Sequence, residues 1–149
     1  MTDLMATVSG LDGDPQDGLE LIASEVAEKP ANAALLNTDC WYRGLFNVAL
    51  EDAMDLCTRA VERASYAAPP LDSRALVRFR LGMLDEALAD LDAALEVAPH
   101  LAPSMYLRGI VRLTAGDDGG EMDIAKALSI SPRLARFYEK HGIVPPATN

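Results

Sequence analysis

The stretch Leu-Asp-Glu-Ala-Leu-Ala-Asp-Leu-Asp-Ala-Ala-Leu (84–95) decides the fold, because a degenerate copy of it occurs earlier in the chain. That copy is Leu-Glu-Asp-Ala-Met-Asp-Leu-Cys-Thr-Arg-Ala-Val (50–61). The same offset pairs small residues, namely Ala53 with Ala87, Ala60 with Ala94, Ala75 with Gly109 and Gly82 with Gly116. A repeat period of about 34 residues indicates a stack of helical hairpins, each burying its apolar face against the next.

Apolar residues within the deciding stretch recur at helical spacing. Leu88, Leu91 and Leu95 form one stripe, and Asp90 and Asp92 are expected on the outward face. Half of the 149 residues are hydrophobic but only 5% are aromatic, which favours closely packed helices over strands. The pattern predicts helices at 15–28, 32–47, 50–64, 70–82, 85–97, 103–115, 119–130 and 133–141, and a further short helix near 2–9.

From Ser73 to Pro99 the sequence resembles a tetratricopeptide repeat (TPR) from end to end. The small and turn residues of that family are matched here by Ala75, Gly82, Ala87 and Ala94. The next unit keeps the pattern up to Pro132, but it lacks one residue in its second helix and has Glu121 where a small residue is expected. The preceding unit departs from the family at Trp41, which stands at the small position of its first helix.

The resemblance implies an all-α fold, a right-handed superhelical solenoid of helical hairpins with a C-terminal capping helix. The first and second helices of each unit are called A and B. In the capping helix, Leu134, Phe137 and Tyr138 are expected to cover the open end of the stack. The expected divisions are a degenerate repeat at 1–33, TPR units at 34–67, 68–101 and 102–134, and the capping helix with its tail at 135–149.

The chain is acidic, with 23 Asp and Glu against 13 Lys and Arg and a net charge of −10. Such a surface argues against nucleic acid or an anionic membrane as a partner. Residues 1–33 carry one Lys against seven acids, whereas residues 102–149 carry six basic and five acidic groups. Only this C-terminal part would suit an acidic partner. No apolar run approaches the length of about 18 residues that a membrane span needs.

The family resemblance implies that ligands bind on the concave face lined by the A helices. Aromatic anchors beside arginine are typical of binding hot spots, and the positions predicted to bind a peptide are Tyr42, Phe46, Leu76, Phe79, Arg80, Tyr106, Ile110 and Leu113. The carboxylate clamp of the family uses Lys and Asn, which are replaced here by Thr38, Tyr42, Asp72 and Leu76, so its specificity is not expected. The alternative is that the capping helix or another terminal segment fills this groove.

Arg74 and Arg78 lie one helical turn apart, and Arg108 with Arg112 repeats them in the next unit. Stacked hairpins would bring the four guanidinium groups onto neighbouring helices, where they could bind a carboxylate or an acidic peptide. The alternative, which the excess of acids favours, is pairing with the acidic B helices. The candidate partners there are Asp90, Asp92 and Glu96.

Cys40 and Cys57 are the two cysteines, and the repeat places them on paired A and B helices facing the shared interface. In an oxidising compartment they would form a disulfide, whereas in a reducing one they would be two buried thiols. The sequence leaves both alternatives open. Because the two histidines, His100 and His141, fall at helix ends, we expect no metal site, no thiol nucleophile and no cofactor.

These observations predict a protein- or peptide-binding scaffold that is not an enzyme. Two other classes stay open. One is a substrate-positioning accessory domain of a bacterial enzyme, such as the aspartic-type proteases to which similar repeats are fused, and the other is a self-assembling unit, such as a homodimer. The first ten residues lack a basic start and carry Asp3, unlike a secretory signal. The location stays open: the cytoplasm is favoured, and the periplasm is the alternative if an upstream signal was removed.

Overall fold

The computed structural model describes residues 14–147, and their regular structure is entirely helical. The helices of this part are α1 (Pro15–Glu28), α2 (Ala33–Phe46), α3 (Ala53–Arg63), α4 (Ala68–Arg80), α5 (Leu84–Val97), α6 (Ala102–Thr114), α7 (Gly120–Ile130) and α8 (Leu134–Lys140). The short helix predicted near residues 2–9 lies outside the described residues. Within 14–147, no helix combines the length and the apolar character that crossing a membrane would require.

The predicted all-helical fold is confirmed, and the predicted helix ends agree to within two residues except at the start of α3, where a 3-10 turn (Leu50–Asp52) comes first. Local signals account for several ends. The side chain of Asp14 caps α1 by accepting a hydrogen bond from the backbone nitrogen of Gln16 at 2.9 Å. Gly82 and Gly116 adopt positive φ angles of 78° and 87° after α4 and α6, a conformation that glycine adopts without strain.

Each A helix packs on the B helix that follows it, which gives the hairpins α2–α3, α4–α5 and α6–α7. Helix α1 packs on α2, and α4 and α6 each also contact the preceding hairpin, so the hairpins stack in chain order. Small side chains are fully buried at these contacts, namely Ala53, Ala60, Ala75, Ala87, Ala94 and Ala127. Because side-chain size sets the distance between helix axes, these alanines allow close approach.

The third hairpin has a close backbone contact between Gly109 of α6 and Gly120 of α7. A Cβ atom added to Gly109 would lie 2.7 Å from the carbonyl oxygen of Gly120 and 2.6 Å from Cγ1 of Ile124. Gly120 follows Ala87 by one position less than the repeat period, although the turn glycines keep the full period. The missing residue of this unit therefore lies in the turn before α7 and not in the helix, and Gly120, not Glu121, is the small contact residue.

Candidate functional site

The surface formed by the A helices α2, α4 and α6, here called the A-helix face, is partly covered by the chain's own C-terminal helix. Phe137 stacks on Trp41 of α2 with ring centroids 6.5 Å apart, and Tyr138 stacks on Tyr106 of α6 at 5.2 Å. Tyr138 and, in the tail, Ile143 are 2% and 1% exposed. We expected α8 at the open end of the stack. It lies on the A-helix face instead, where aromatic side chains offer stacking partners.

Arg80 holds the segment that follows α8. Its guanidinium donates hydrogen bonds to the carbonyl oxygens of Gly44 at 2.8 Å, Leu45 at 2.9 Å and His141 at 2.7 Å. The His141 ring packs edge-on against Phe46, with centroids 5.0 Å apart. Burial, together with nearby cationic side chains, lowers the pKa of His141, so the ring is mostly neutral at pH 7. The C-terminal segment is thus fixed by both stacking and hydrogen bonds.

Several of the predicted peptide-binding residues lie beneath this segment. Leu76, Tyr106 and Ile110 are at most 3% exposed and share a core cluster with Leu134 and Tyr138 of α8. In this structure, therefore, a terminal segment of the chain itself fills this part of the groove. The members of the predicted set that stay partly exposed are Phe46, Phe79, Arg80 and Leu113.

Two further predicted peptide-binding residues lie away from the groove. Tyr42 is packed under α1, where its hydroxyl donates a hydrogen bond to the carbonyl oxygen of Pro15 at 2.8 Å. Leu113 lies against α7, since its side chain would meet a Cβ atom added to Gly120. In this structure both side chains serve helix packing.

A cavity of about 290 Å³ opens beside α8, near the N-terminal ends of α2, α4 and α6. Its volume lies just below the range for ligand sites, about 300–1,000 Å³, and suits a single side chain. The lining residues, none of which belongs to α8, are Asn37, Thr38, Trp41, Pro69, Asp72, Ser73, Leu101, Pro103 and Ser104.

Asp72 provides the charge of this cavity. The residue is 8% exposed, and its Oδ1 accepts a hydrogen bond from the hydroxyl of Ser104 at 2.6 Å. Burial raises the pKa of Asp72 to about 6, although the hydrogen bond from Ser104 acts in the opposite direction. At pH 7 the carboxylate is therefore mostly ionised in a poorly solvated position, which is costly without a counter-charge.

Asn37 adds a second acceptor to the lining. Its Oδ1 is buried and accepts no hydrogen bond within the described residues. Leaving such an oxygen without a donor costs roughly 1–3 kcal/mol. The cavity wall thus includes two groups that a hydrogen-bond donor would satisfy. Nowhere in residues 14–147 do three His, Cys, Asp or Glu side chains come together as a metal site would require.

The four repeated arginines bind carboxylates of the hairpins. Asp90, 4% exposed, accepts hydrogen bonds from Nε of Arg74 at 2.9 Å and from Nη1 of Arg78 at 2.8 Å. Two arginines of an A helix are thereby tied to one buried aspartate of the following B helix. The third hairpin repeats this arrangement with Arg108, Arg112 and Asp123, at 2.8 and 2.7 Å.

Two of the three candidate acidic partners, Asp90 and Asp92, pair with these arginines. Asp90 was expected on the outer face, but α5 turns it toward α4, where two guanidinium groups compensate its charge. Asp123 was not predicted, although it occupies the position of Asp90 once the shortened period of this unit is taken into account. Asp92 has a 59% exposed side chain and reaches Arg108 at 3.1 Å. Glu96 makes no ion pair within residues 14–147 and is exposed.

Cys40 and Cys57 form a disulfide that joins α2 to α3. Their Cα atoms are 5.1 Å apart, within the range that disulfides require. Both residues are fully buried, so the bond lies inside the first hairpin. Of the two alternatives left open by the sequence, the structure contains the disulfide.

The sequence indicated only some of the residues that line the cavity. In the sequence, Trp41 departs from the packing pattern and Asp72 replaces a clamp residue, while no pattern marks Asn37 or Ser104. No Lys or Arg lies three or four residues away from Asp72 on its helix, but the same is true of Asp90, so this spacing does not single out Asp72.

Comparisons with known proteins bear on the fold. No protein-family model and no curated protein matches the sequence. One solved structure, described as "Crystal structure of MamA", superposes with a TM-score of 0.68 at 17% identity, over 96% of this chain and 86% of that one. Another, "MamA MSR-1 C2", gives 0.63 at 18% identity, over 81% and 70%. A tetratricopeptide repeat protein from Parabacteroides merdae gives 0.62 at 23% identity, over 95% of this chain and 57% of that one.

At these identities the superpositions inform the fold alone. They extend over most of the chain and agree with the order of helices and with the regular period of the small residues. The chain therefore has a helical repeat fold of the TPR type.

Proposed function

We propose that the chain is a protein-binding scaffold whose partner docks on the A-helix face at the cavity beside α8. TPR-like neighbours support an interaction scaffold in general terms. The observation that carries the proposal is the cavity itself, which is bordered by all three A helices and not by α8. A partner segment there would contact three successive repeats at once.

The C-terminal segment supports the choice of this face, because it shows which contacts the A helices can make. It stacks aromatic rings on Trp41 and Tyr106 and accepts a hydrogen bond from Arg80 through a main-chain carbonyl. Aromatic stacking and hydrogen bonds to main-chain carbonyls do not depend on one sequence, so they suit a peptide from another protein equally well.

Co-precipitation with cavity-blocking variants tests this proposal. Thr38→Arg places a long side chain in the cavity wall, whereas Ala89→Arg places the same side chain on the exposed outer surface of α5. The purified wild-type chain and both variants serve as bait for proteins of the source organism. The prey is identified by mass spectrometry, and light scattering of the bait alone shows whether a second copy of the chain is the partner.

We expect the Ala89→Arg bait to recover the partner as the wild-type bait does, and the Thr38→Arg bait to lose it. Recovery by all three baits would place the partner elsewhere and overturn the proposal. Circular dichroism and thermal melts of the three baits show that a loss of binding does not come from unfolding.

A further inference from the structure

Buried aspartates in this fold have arginine partners, with one exception. Asp39, Asp72, Asp90 and Asp123 are each more than nine-tenths buried in the described part of the chain. Three of them are ion-paired at 2.7–2.8 Å, Asp39 with Arg43, Asp90 with Arg74 and Arg78, and Asp123 with Arg108 and Arg112. Asp72 has only the hydroxyl of Ser104 as a hydrogen-bond partner among residues 14–147.

No Lys or Arg of the chain lies outside the residues that the structure describes. All 13 Lys and Arg of the sequence lie between residues 29 and 140, inside the described range. None of their side-chain nitrogens comes within 4.0 Å of the Asp72 carboxylate. The Lys and Arg side chains of the chain therefore leave this carboxylate without a counter-charge.

We propose that the cavity receives the cationic end of an arginine or lysine side chain from the partner protein, with Asp72 as its counter-ion. The occupant follows from charge, because a buried carboxylate without a cation is destabilising and an entering cation would relieve that cost. The assignment of this cation to a partner protein rests on the function proposed above.

The other walls of the cavity suit the same group. Within residues 14–147 no donor satisfies the side-chain oxygen of Asn37. A guanidinium carries five N–H donors, for which Asn37 and Asp72 provide acceptors. Trp41 supplies an indole ring, the aromatic side chain that attracts cations most strongly. Leu101 and Pro103 offer apolar surface for the aliphatic stem of a long side chain.

Only one repeat has an acidic residue at the position of Asp72. Thr38 and Tyr106 occupy the equivalent positions one repeat before and one repeat after Asp72, so the neighbouring A helices place no second carboxylate in this row. The cavity therefore defines a single cation position and not a general acidic surface. The overall charge of −10 would add long-range attraction for a basic partner.

Intrinsic fluorescence provides a direct test, because Trp41 is the only tryptophan of the chain and lines the cavity. The full chain is titrated with n-butylguanidinium chloride, which mimics the end of an arginine side chain, at constant ionic strength. The neutral analogue n-butylurea serves as the ligand control. A probe of this size is expected to bind with a Kd on the order of millimolar.

Asp72→Asn is the test variant, and Asp92→Asn, which neutralises an exposed aspartate outside the cavity, is its matched control. We expect saturable binding of n-butylguanidinium by the wild type and by Asp92→Asn, no saturation with n-butylurea, and affinity reduced about tenfold to hundredfold by Asp72→Asn. Absence of saturation with the wild type, or equal affinity for Asp72→Asn, would overturn the inference.

The outcomes separate this inference from the proposed function. If Thr38→Arg abolishes partner capture but n-butylguanidinium does not bind, the scaffold role stands and the cation site fails. If n-butylguanidinium binds but Thr38→Arg leaves partner capture unchanged, the cation position stands, while the proposed docking site and the assignment of the cation to a partner protein fail.

Discussion

Cys40 and Arg74 occupy the same position of successive repeats, and each fastens its A helix to the following B helix. Cys40 does so through the disulfide with Cys57, and Arg74 through the ion pair with Asp90. The first hairpin has Leu56 at the position of that aspartate. The disulfide of the first hairpin therefore takes the place of the buried ion pair that joins the two helices in each later hairpin.

Removal of the disulfide should weaken the first hairpin. For a closed loop of 17 residues, the chain-entropy estimate gives a loss of about 3 kcal/mol in the free energy of unfolding for Cys40→Ala combined with Cys57→Ala. Urea denaturation followed by circular dichroism measures it, with the reduced wild-type chain as a second comparison. A variant with the same midpoint and slope as the oxidised wild type would show that the bond does not stabilise the fold.

Asp90→Asn should be strongly destabilising, because it leaves two partly buried guanidinium groups without their carboxylate. Breaking a buried ion pair by removing one partner costs about 3–5 kcal/mol. Asp92→Asn removes an exposed ion pair on the same helix and should change the free energy of unfolding by less than about 1 kcal/mol. Equal effects of the two substitutions in urea denaturation would contradict the roles assigned to these residues.

Gly109→Ala should destabilise the third hairpin, because the added methyl group would meet the backbone carbonyl of Gly120, which cannot move without displacing α7. We expect a cost of about 1–3 kcal/mol. Gly44→Ala is the matched comparison, since its nearest contact, at 2.9 Å, is a side-chain carbon of Leu76, and alanine favours the helix. Thermal melts should show a lower Tm for Gly109→Ala than for Gly44→Ala, because a side chain can shift where the backbone cannot.

Asp72→Asn should stabilise the unliganded chain at neutral pH. The pKa of Asp72 is about 6 in the fold against an ordinary value of 3.8, so the protonated form favours the folded state. The stabilising contribution of the protonated form is fully present below pH 3.8 and is lost as the pH rises through 6. At 1.36 kcal/mol per pH unit, the free energy of unfolding falls by about 3 kcal/mol over this range.

The substitution removes this ionisation. The difference in free energy of unfolding between Asp72→Asn and the wild type should therefore grow as the pH rises from about 4 to 7. Denaturation curves of both proteins across this range measure it. A difference that stays constant with pH would show that Asp72 is not held in a poorly solvated position.

The sequence was sufficient to predict the hairpins, because each depends on small residues at a fixed interval along one chain. The sequence was less informative where contacts between different helices determine which side chains are buried and paired. Asp90 lies three residues after Ala87 and four before Ala94, so its helical position already favoured the packing face, and only its charge argued for the outside. The partners that offset that charge lie on another helix.

The candidate site was harder to predict for the same reason. The seven residues of α8 have no periodic counterpart in the repeat, so nothing in their spacing assigns them to the A-helix face. Their position follows from the tertiary stacking on Trp41 and Tyr106. Likewise, the absence of a cation near Asp72 depends on where thirteen distant side chains are placed, which helical spacing cannot indicate.

The position of α8 determines which part of the A-helix face is left for a partner. Nuclear Overhauser contacts between the rings of Tyr106 and Tyr138, whose centroids are 5.2 Å apart, test it directly in solution. We expect these contacts together with contacts between Trp41 and Phe137. If neither contact is observed and Tyr138 instead shows the chemical shifts of an unfolded tyrosine, the arrangement proposed here is contradicted.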